Sequence, residues 1–255
     1  MRPVTKTLLL LLVAVVALAS CGKSKSKGTR TSKKDQEVEA HLEAARANFL
    51  DHDRAIAELD KAIELDETCV EAYEQRAEIY EAGFGDSGRS KDAAKAIADY
   101  DTLMKLEPKS TKAAERLRKR AWLKAELGQY DEAIADLNAS RKRDQYNWRT
   151  YEQLAKAYIG NKDLESAIKA YSLAIKCDRN NASLYKSRAH VYFDLGDKQK
   201  AIPDLKKVTD LQPDLEAYAE LAWIYSDLGD PHTALDYYNK ARELDPDFER
   251  KLTRW

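Results

Sequence analysis

A pattern of small and aromatic residues returns along this chain at intervals of 33 to 41 residues, and that period restricts it to folds made by stacking one unit many times. The unit is clearest at residues 215–248, LEAYAELAWIYSDLGDPHTALDYYNKARELDPDF. Tyr218, Leu221, Ala222 and Tyr225 stand at i, i+3, i+4 and i+7, one apolar face of a helix. Gly229 and Asp230 break that helix. Ala234, Tyr238 and Ala241 repeat the helical spacing, and Pro246 ends the second helix because it has no amide hydrogen to donate. Each unit is therefore expected to be a helical hairpin, with Ala222 and Ala234 small where its helices cross.

This order of aromatic, Leu-Ala, Tyr, Gly, Ala, aromatic, Ala and Pro resembles the tetratricopeptide repeat, TPR. The second-helix alanines Ala55, Ala96, Ala133, Ala167, Ala201 and Ala234 align six units, at 36–69, 70–110, 114–147, 148–181, 182–214 and 215–248. Five units also match in the first helix. Ala77, Ala121, Ala155, Ala189 and Ala222 are each followed three residues later by Tyr80, Lys124, Tyr158, Tyr192 and Tyr225, with Lys124 the departure. The first unit has a good second helix, AIAELDKAIELD, but an alanine-rich first helix without Tyr or Gly. Terminal units of an array are often atypical because one face meets water. The resemblance implies an all-α, right-handed superhelical solenoid of about six hairpins over residues 36–248. Only ERKLTRW, 249–255, follows, with Leu252 and Trp255 placed either to cover the last hairpin or to meet a second subunit.

At the other end, Arg2 and Lys6 precede an apolar run over residues 8–19 that reads as a signal peptide, residues 1–20, and is short for a membrane span. Leu18-Ala19-Ser20-Cys21 resembles the lipobox of bacterial lipoproteins, which implies that Cys21 carries lipid. Each buried methylene contributes about 0.8 kcal/mol, and stable anchoring takes more than one chain, as the multiple acylation (palmitate among the acyl groups) of that family implies. An ordinary cleaved signal and an uncleaved anchor helix are the alternatives. Gly22 stands where the sorting rule of enteric lipoproteins puts Asp for inner-membrane retention, so an outer-membrane location is expected in a host with two membranes. After Cys21, residues 22–35 read GKSKSKGTRTSKKD, with no hydrophobic residue, and residues 21–35 are expected to be a lipidated Cys with a flexible basic tether, whose charge could also rest on anionic headgroups. The tether has no aromatic for base stacking, and export argues against nucleic acid as a partner.

Setting the signal and tether aside leaves a net charge of about −8 for residues 36–255. Three cysteines make no disulfide framework: Cys69 is expected in a loop and Cys177 in the core of a second helix. Unit two has seven extra residues between its helices, around Glu81 to Lys91, expected as an exposed flexible turn or a partner-specific contact. Its Gly83, Gly85 and Gly88 spell G-x-G-x-x-G after a helix, where a dinucleotide loop requires a strand. Gly85-Asp86-Ser87-Gly88 resembles a protease nucleophile segment without its next Gly, and helical repeats exclude that β-barrel fold.

The histidines His41, His52, His190 and His232 are not paired with Cys, Asp or another His at metal-ligand spacing, so no metal site or cofactor is expected. The carboxylates read as solvent-facing, with none singled out as a general acid or base. No enzyme and no small-molecule substrate are expected; an envelope enzyme using Glu78 is the remote alternative.

What the resemblance implies instead is a concave wall lined by first helices, with Glu74, Glu78 and Glu81, then Arg118 and Trp122, then Glu152, Lys156 and Ile159, then Lys186, His190 and Phe193, and lastly Trp223 and Ser226. Trp122, Phe193 and Trp223 are candidate anchors for a bound segment, or pack between helices. Arg118, Lys156 and Lys186 are candidates to meet its acidic groups. The chaperone-type carboxylate clamp is not implied, because His190 stands where Asn is required after Lys186. The expectation is a membrane-anchored scaffold of the bacterial envelope that holds a segment or helix of another envelope protein. The architecture resembles TPR lipoproteins that help pilus secretins assemble, and others that recruit cell-wall hydrolases.

Overall fold

The computed structural model describes residues 32–87 and 90–247. The signal peptide, Cys21, Gly22, the tether up to residue 31, Gly88, Arg89, and the tail with Leu252 and Trp255 lie outside the described residues. Among the described residues there are twelve α-helices and no strand, and no helix is long and apolar enough to cross a membrane. The chain divides into two compact units, at Ile79 and Tyr80.

In the first unit, α1 (Lys33–Ala47) and α2 (His52–Leu65) form a hairpin, followed by the opening of α3 (Val70–Ser87). Leu42 and Leu59 are fully buried, among Val38, Ala45, Ala62, Cys69 and Ala72. Burying a leucine side chain contributes about 1.5–3 kcal/mol. Polar contacts tie the helices together: His41 Nδ1 lies 2.6 Å from Glu58, Arg76 donates to Asp60 at 2.5 Å, and Arg46 pairs with Glu71. Helix α1 starts earlier than expected, because Ser32 and Asp35 make a reciprocal capping box that draws Lys33, Lys34 and Asp35 into the first turn. Cys69 does lie between helices, yet it is buried in this core.

The second unit holds the end of α3, then α4 (Ser90–Leu106), α5 (Ala113–Glu126), α6 (Tyr130–Arg143), α7 (Trp148–Gly160), α8 (Leu164–Cys177), α9 (Ala182–Asp194), α10 (Lys198–Leu211), α11 (Leu215–Asp227) and α12 (Pro231–Leu244). From α4 onward each helix packs against the next, giving stacked hairpins with the core between successive layers. The aligned alanines Ala96, Ala133, Ala167 and Ala201 are fully buried, as is Ala55 in the first unit. No described helix follows α12, on which Leu235 and Leu244 are exposed, and Ala222 of α11 is half-buried.

The turns follow from backbone sterics. Gly229 has φ 77°, a left-handed conformation that closes α11 while the Asp230 amide donates back to the Tyr225 carbonyl at 2.9 Å. Asp230 then caps α12 by accepting from the Thr233 amide at 3.1 Å. In the α7–α8 hairpin the same left-handed place is taken by Lys162, with φ 61°. Gly160 serves another need: a Cβ there would lie 2.2 Å from Cε1 of Tyr130, so only glycine leaves room for that ring.

Three expectations are corrected. The Glu81 to Lys91 insertion is not a flexible turn up to Ser87, since α3 continues as helix through Gly83 and Gly85 to that residue. Phe84 supplies the reason, packing edge-to-face on Trp122 at 5.7 Å between ring centroids. Cys177 is only half-buried at the end of α8, packed against the edge of the core and not within it, with its Sγ 3.8 Å from the Gln145 carbonyl. Not every carboxylate faces solvent: Asp99, Asp136 and Asp204 are buried. Burial is tolerable because arginines neutralise two of them, with Arg188 bidentate to Asp204 at 2.7 and 2.6 Å and Arg120 shared between Asp136 and Asp101.

Candidate partner-binding surface

First helices carry most of the candidate residues, and the structure sorts these into separate groups. On α3 in the first unit, Glu74 is half-buried and Glu78 exposed, one turn apart. In the second unit Glu81 is engaged, accepting from the Tyr100 hydroxyl at 2.7 Å and pairing with Lys119 at 3.6 Å. Trp122 is half-buried against Phe84. Lys124, where other units have tyrosine, reaches Glu132 at 3.3 Å and Asp136 at 3.1 Å, so an ion pair replaces ring packing.

The last two hairpins bring His190, Phe193 and Trp223 together. Ring centroids lie 6.3 Å apart for His190 and Phe193 and 6.0 Å for Phe193 and Trp223. Trp223 is 51% exposed, and the Lys198 ammonium sits 3.9 Å over its ring, a cation–π contact. A large aromatic held half in water by its neighbours has much area to lose on contact with a partner.

Two of the expected cationic contacts are already occupied. Lys186 donates to both oxygens of Asp214 at 3.1 Å and pairs with Glu216 at 2.7 Å. Burial works against its charge, but hydrogen bonds to Glu216 and Asp214 outweigh that and hold its pKa above the ordinary lysine value. Lys156 is exposed and pairs with Glu152 at 2.8 Å within α7. His190 Nε2 lies 3.0 Å from Glu220, whose hydrogen bond raises the imidazole pKa despite partial burial.

Arg118 differs. It borders an open cleft of about 740 Å³ with Lys109, Arg143 and Arg149, against which stand only Glu115 and Asp144. Its Nε is buried without a hydrogen-bond partner, and its link to Glu115 is long at 3.9 Å. Arg143 donates to main-chain carbonyls of Ala139 and Pro108, and Arg149 stacks on Trp148 at 4.6 Å. The cleft is thus a site of surplus positive charge. Lys109, Arg143 and Arg149 are not evident as site residues from the sequence because they lie at helix ends and in a loop, where no repeat position marks them; the clustering of Arg141, Lys142 and Arg143 is the one signal there.

Residues 124–191, 182–215 and 215–248 match family models described as tetratricopeptide repeat. A curated relative, human Superkiller complex protein 3, is 28% identical over 181 residues, covering 67% of this chain and 11% of the relative. The chain therefore spans about a tenth of that protein's length. Among solved structures, a crystal structure of MamA is 26% identical with a TM-score of 0.54, covering 65% of this chain and 93% of that one. The pilF protein of Pseudomonas aeruginosa is 16% identical, with a TM-score of 0.57 and coverage of 84% and 95%. YrrB, described as a TPR protein with an unusual peptide-binding site, is 17% identical, with a TM-score of 0.58 and coverage of 73% and 95%. The last two establish likeness of fold only.

Proposed function

We propose, from a chain whose residues 124–248 are tetratricopeptide repeats, that it is a lipid-anchored scaffold of the bacterial envelope which holds a segment of another envelope protein and acts by binding. The observation that carries this reading is the His190, Phe193 and Trp223 row, whose last ring stands half in water. Peptide recognition by YrrB supports a similar mode here. An assembly role of the pilus and secretin kind follows from the resemblance of the repeats and the Leu18-Ala19-Ser20-Cys21 segment to TPR lipoproteins with that role, and the likeness of fold to pilF over 84% of this chain is compatible with it. The basic cleft at Arg118 and Arg149 suits acidic side chains of the same partner, while Lys156 and Lys186 serve the fold. Anchoring rests on the apolar run over residues 8–19 and on Cys21.

Photo-crosslinking from positions 122 and 223 in intact cells, with mass spectrometry of the captured protein, tests the reading. A secretin or pilus subunit caught at position 223 supports an assembly factor. Cell-wall hydrolases caught there replace it with an adaptor of those enzymes, and no capture from either position removes this surface. For the anchor, metabolic labelling with palmitate should mark the wild type and fail on Cys21→Ser; equal labelling of both overturns it.

A further inference from the structure

Stacking the last two hairpins joins His190 to two carboxylates that lie 26 and 30 residues on in the chain. His190 on α9 faces Glu216 and Glu220, which lie one turn apart on α11, and one donor atom of each lies within 4.8 Å of the others. His190 Nε2 and Glu220 Oε1 are 3.0 Å apart. A second observation is independent of that proximity. The other Glu220 oxygen, Oε2, is buried and has no hydrogen-bond partner, although a buried carboxylate oxygen is rarely left without a donor. Charge points the same way: Asp214 and Glu216 share one permanent cation, Lys186, while Glu220 pairs with His190, so these carboxylates and the lysine leave two negative charges before the imidazole is counted.

We propose that His190, Glu216 and Glu220 form a binding site for one divalent transition-metal ion of the zinc type. An imidazole nitrogen with two carboxylates suits zinc or manganese, whereas magnesium and calcium take oxygen ligands. Two donors each about 2.0–2.2 Å from one zinc stand roughly 3.3–3.6 Å apart in tetrahedral geometry, so the His190 and Glu220 pair, at 3.0 Å, has to open by a few tenths of an ångström to admit the ion. Glu216 has to close in by a change of side-chain rotamer. Its departure does not strand Lys186, which keeps both oxygens of Asp214. The ion bridges α9 to α11, and so fastens the terminal hairpin to the one before it at the rim of the Phe193 and Trp223 pair. The site shares His190 with the row proposed for partner docking, but zinc binding by the pure chain and capture of a partner at position 223 are separate readouts, so either can fail without the other.

The test is a zinc titration of the full chain after chelator treatment, followed by calorimetry and by thermal unfolding. One zinc ion per chain is expected, with at least tenfold weaker binding in His190→Gln and in Glu220→Gln at unchanged helical circular dichroism. Glu216→Gln, on a side chain 43% exposed, keeps the test decisive where Glu220→Gln unfolds the last hairpin. His41→Gln, which removes the other His and Glu pair, should bind as wild type. Undiminished binding by both His190→Gln and Glu216→Gln overturns the site. Equal stabilisation by magnesium overturns it too, since simple screening of acidic charge explains that result. Loss of binding only on Cys177→Ser moves the ion to a thiol and also overturns it.

Discussion

Gly160→Ala sets two effects against each other with opposite signs. Gly160 is the last residue of α7, and alanine in a helix is favoured over glycine by about 1 kcal/mol. Against that, the new methyl would meet Cε1, Cζ and Cδ1 of Tyr130 at 2.2, 2.5 and 2.8 Å. All three distances are under 3.0 Å, so the Tyr130 ring has to move to admit the methyl. Overpacking of this kind costs about 1–3 kcal/mol. The clash wins, and a net loss of roughly 1–2 kcal/mol is expected. In a Tyr130→Ala background the methyl has room, and the same substitution should raise stability by up to about 1 kcal/mol. Urea unfolding followed by circular dichroism, run as a double-mutant cycle, reads this reversal of sign. An unchanged sign in the two backgrounds, or a gain in the wild-type background, refutes the reasoning from close approach.

Lys162→Gly should stabilise the α7–α8 turn by about 0.5–1 kcal/mol, because a left-handed residue with a Cβ costs about 1–2 kcal/mol and the greater freedom of unfolded glycine returns only part of that; urea midpoints measure it. Asp204→Ala should cost about 3 kcal/mol in the same assay, since it leaves the half-buried Arg188 guanidinium without its bidentate partner. The pH dependence has a definite sign at Asp163. Hydrogen bonds from the Ser166 hydroxyl and amide hold its pKa below the ordinary carboxylate value, so its contribution is complete above the unfolded-state pKa and is lost as pH falls through the folded-state one. The melting temperatures of wild type and Asp163→Ala should differ at neutral pH and converge in acid.

The helical hairpins are legible in the sequence because their determinants are local. Ala201 and Ala234, Gly229 and Asp230 each act on neighbours within a turn or two, and the repeat shows the same solution several times over. The insertion after Glu81 is not legible, because there a distant contact overrides the local signal. Gly83 and Gly85 argue against helix by about 1 kcal/mol each, and burial of Phe84 on Trp122 outweighs them, a contact made 38 residues away in the chain. The binding surface is legible as a set of positions, since Phe193 and Trp223 do come together, but not as a set of charges.

What the sequence by itself determined is therefore the all-helical repeat, its turns and its cross-over alanines, all products of short-range sterics and periodicity. Tertiary structure decided which charges are spent within the stack and which remain for a partner. Lys186 finds Asp214 28 residues on, and His190 finds Glu220 30 residues on. With 44 acidic and 43 basic residues in the chain, spacing alone selects no pair among them. Coulomb attraction falls with distance and is screened by water, so only the packing of one hairpin on the next settles which ions meet.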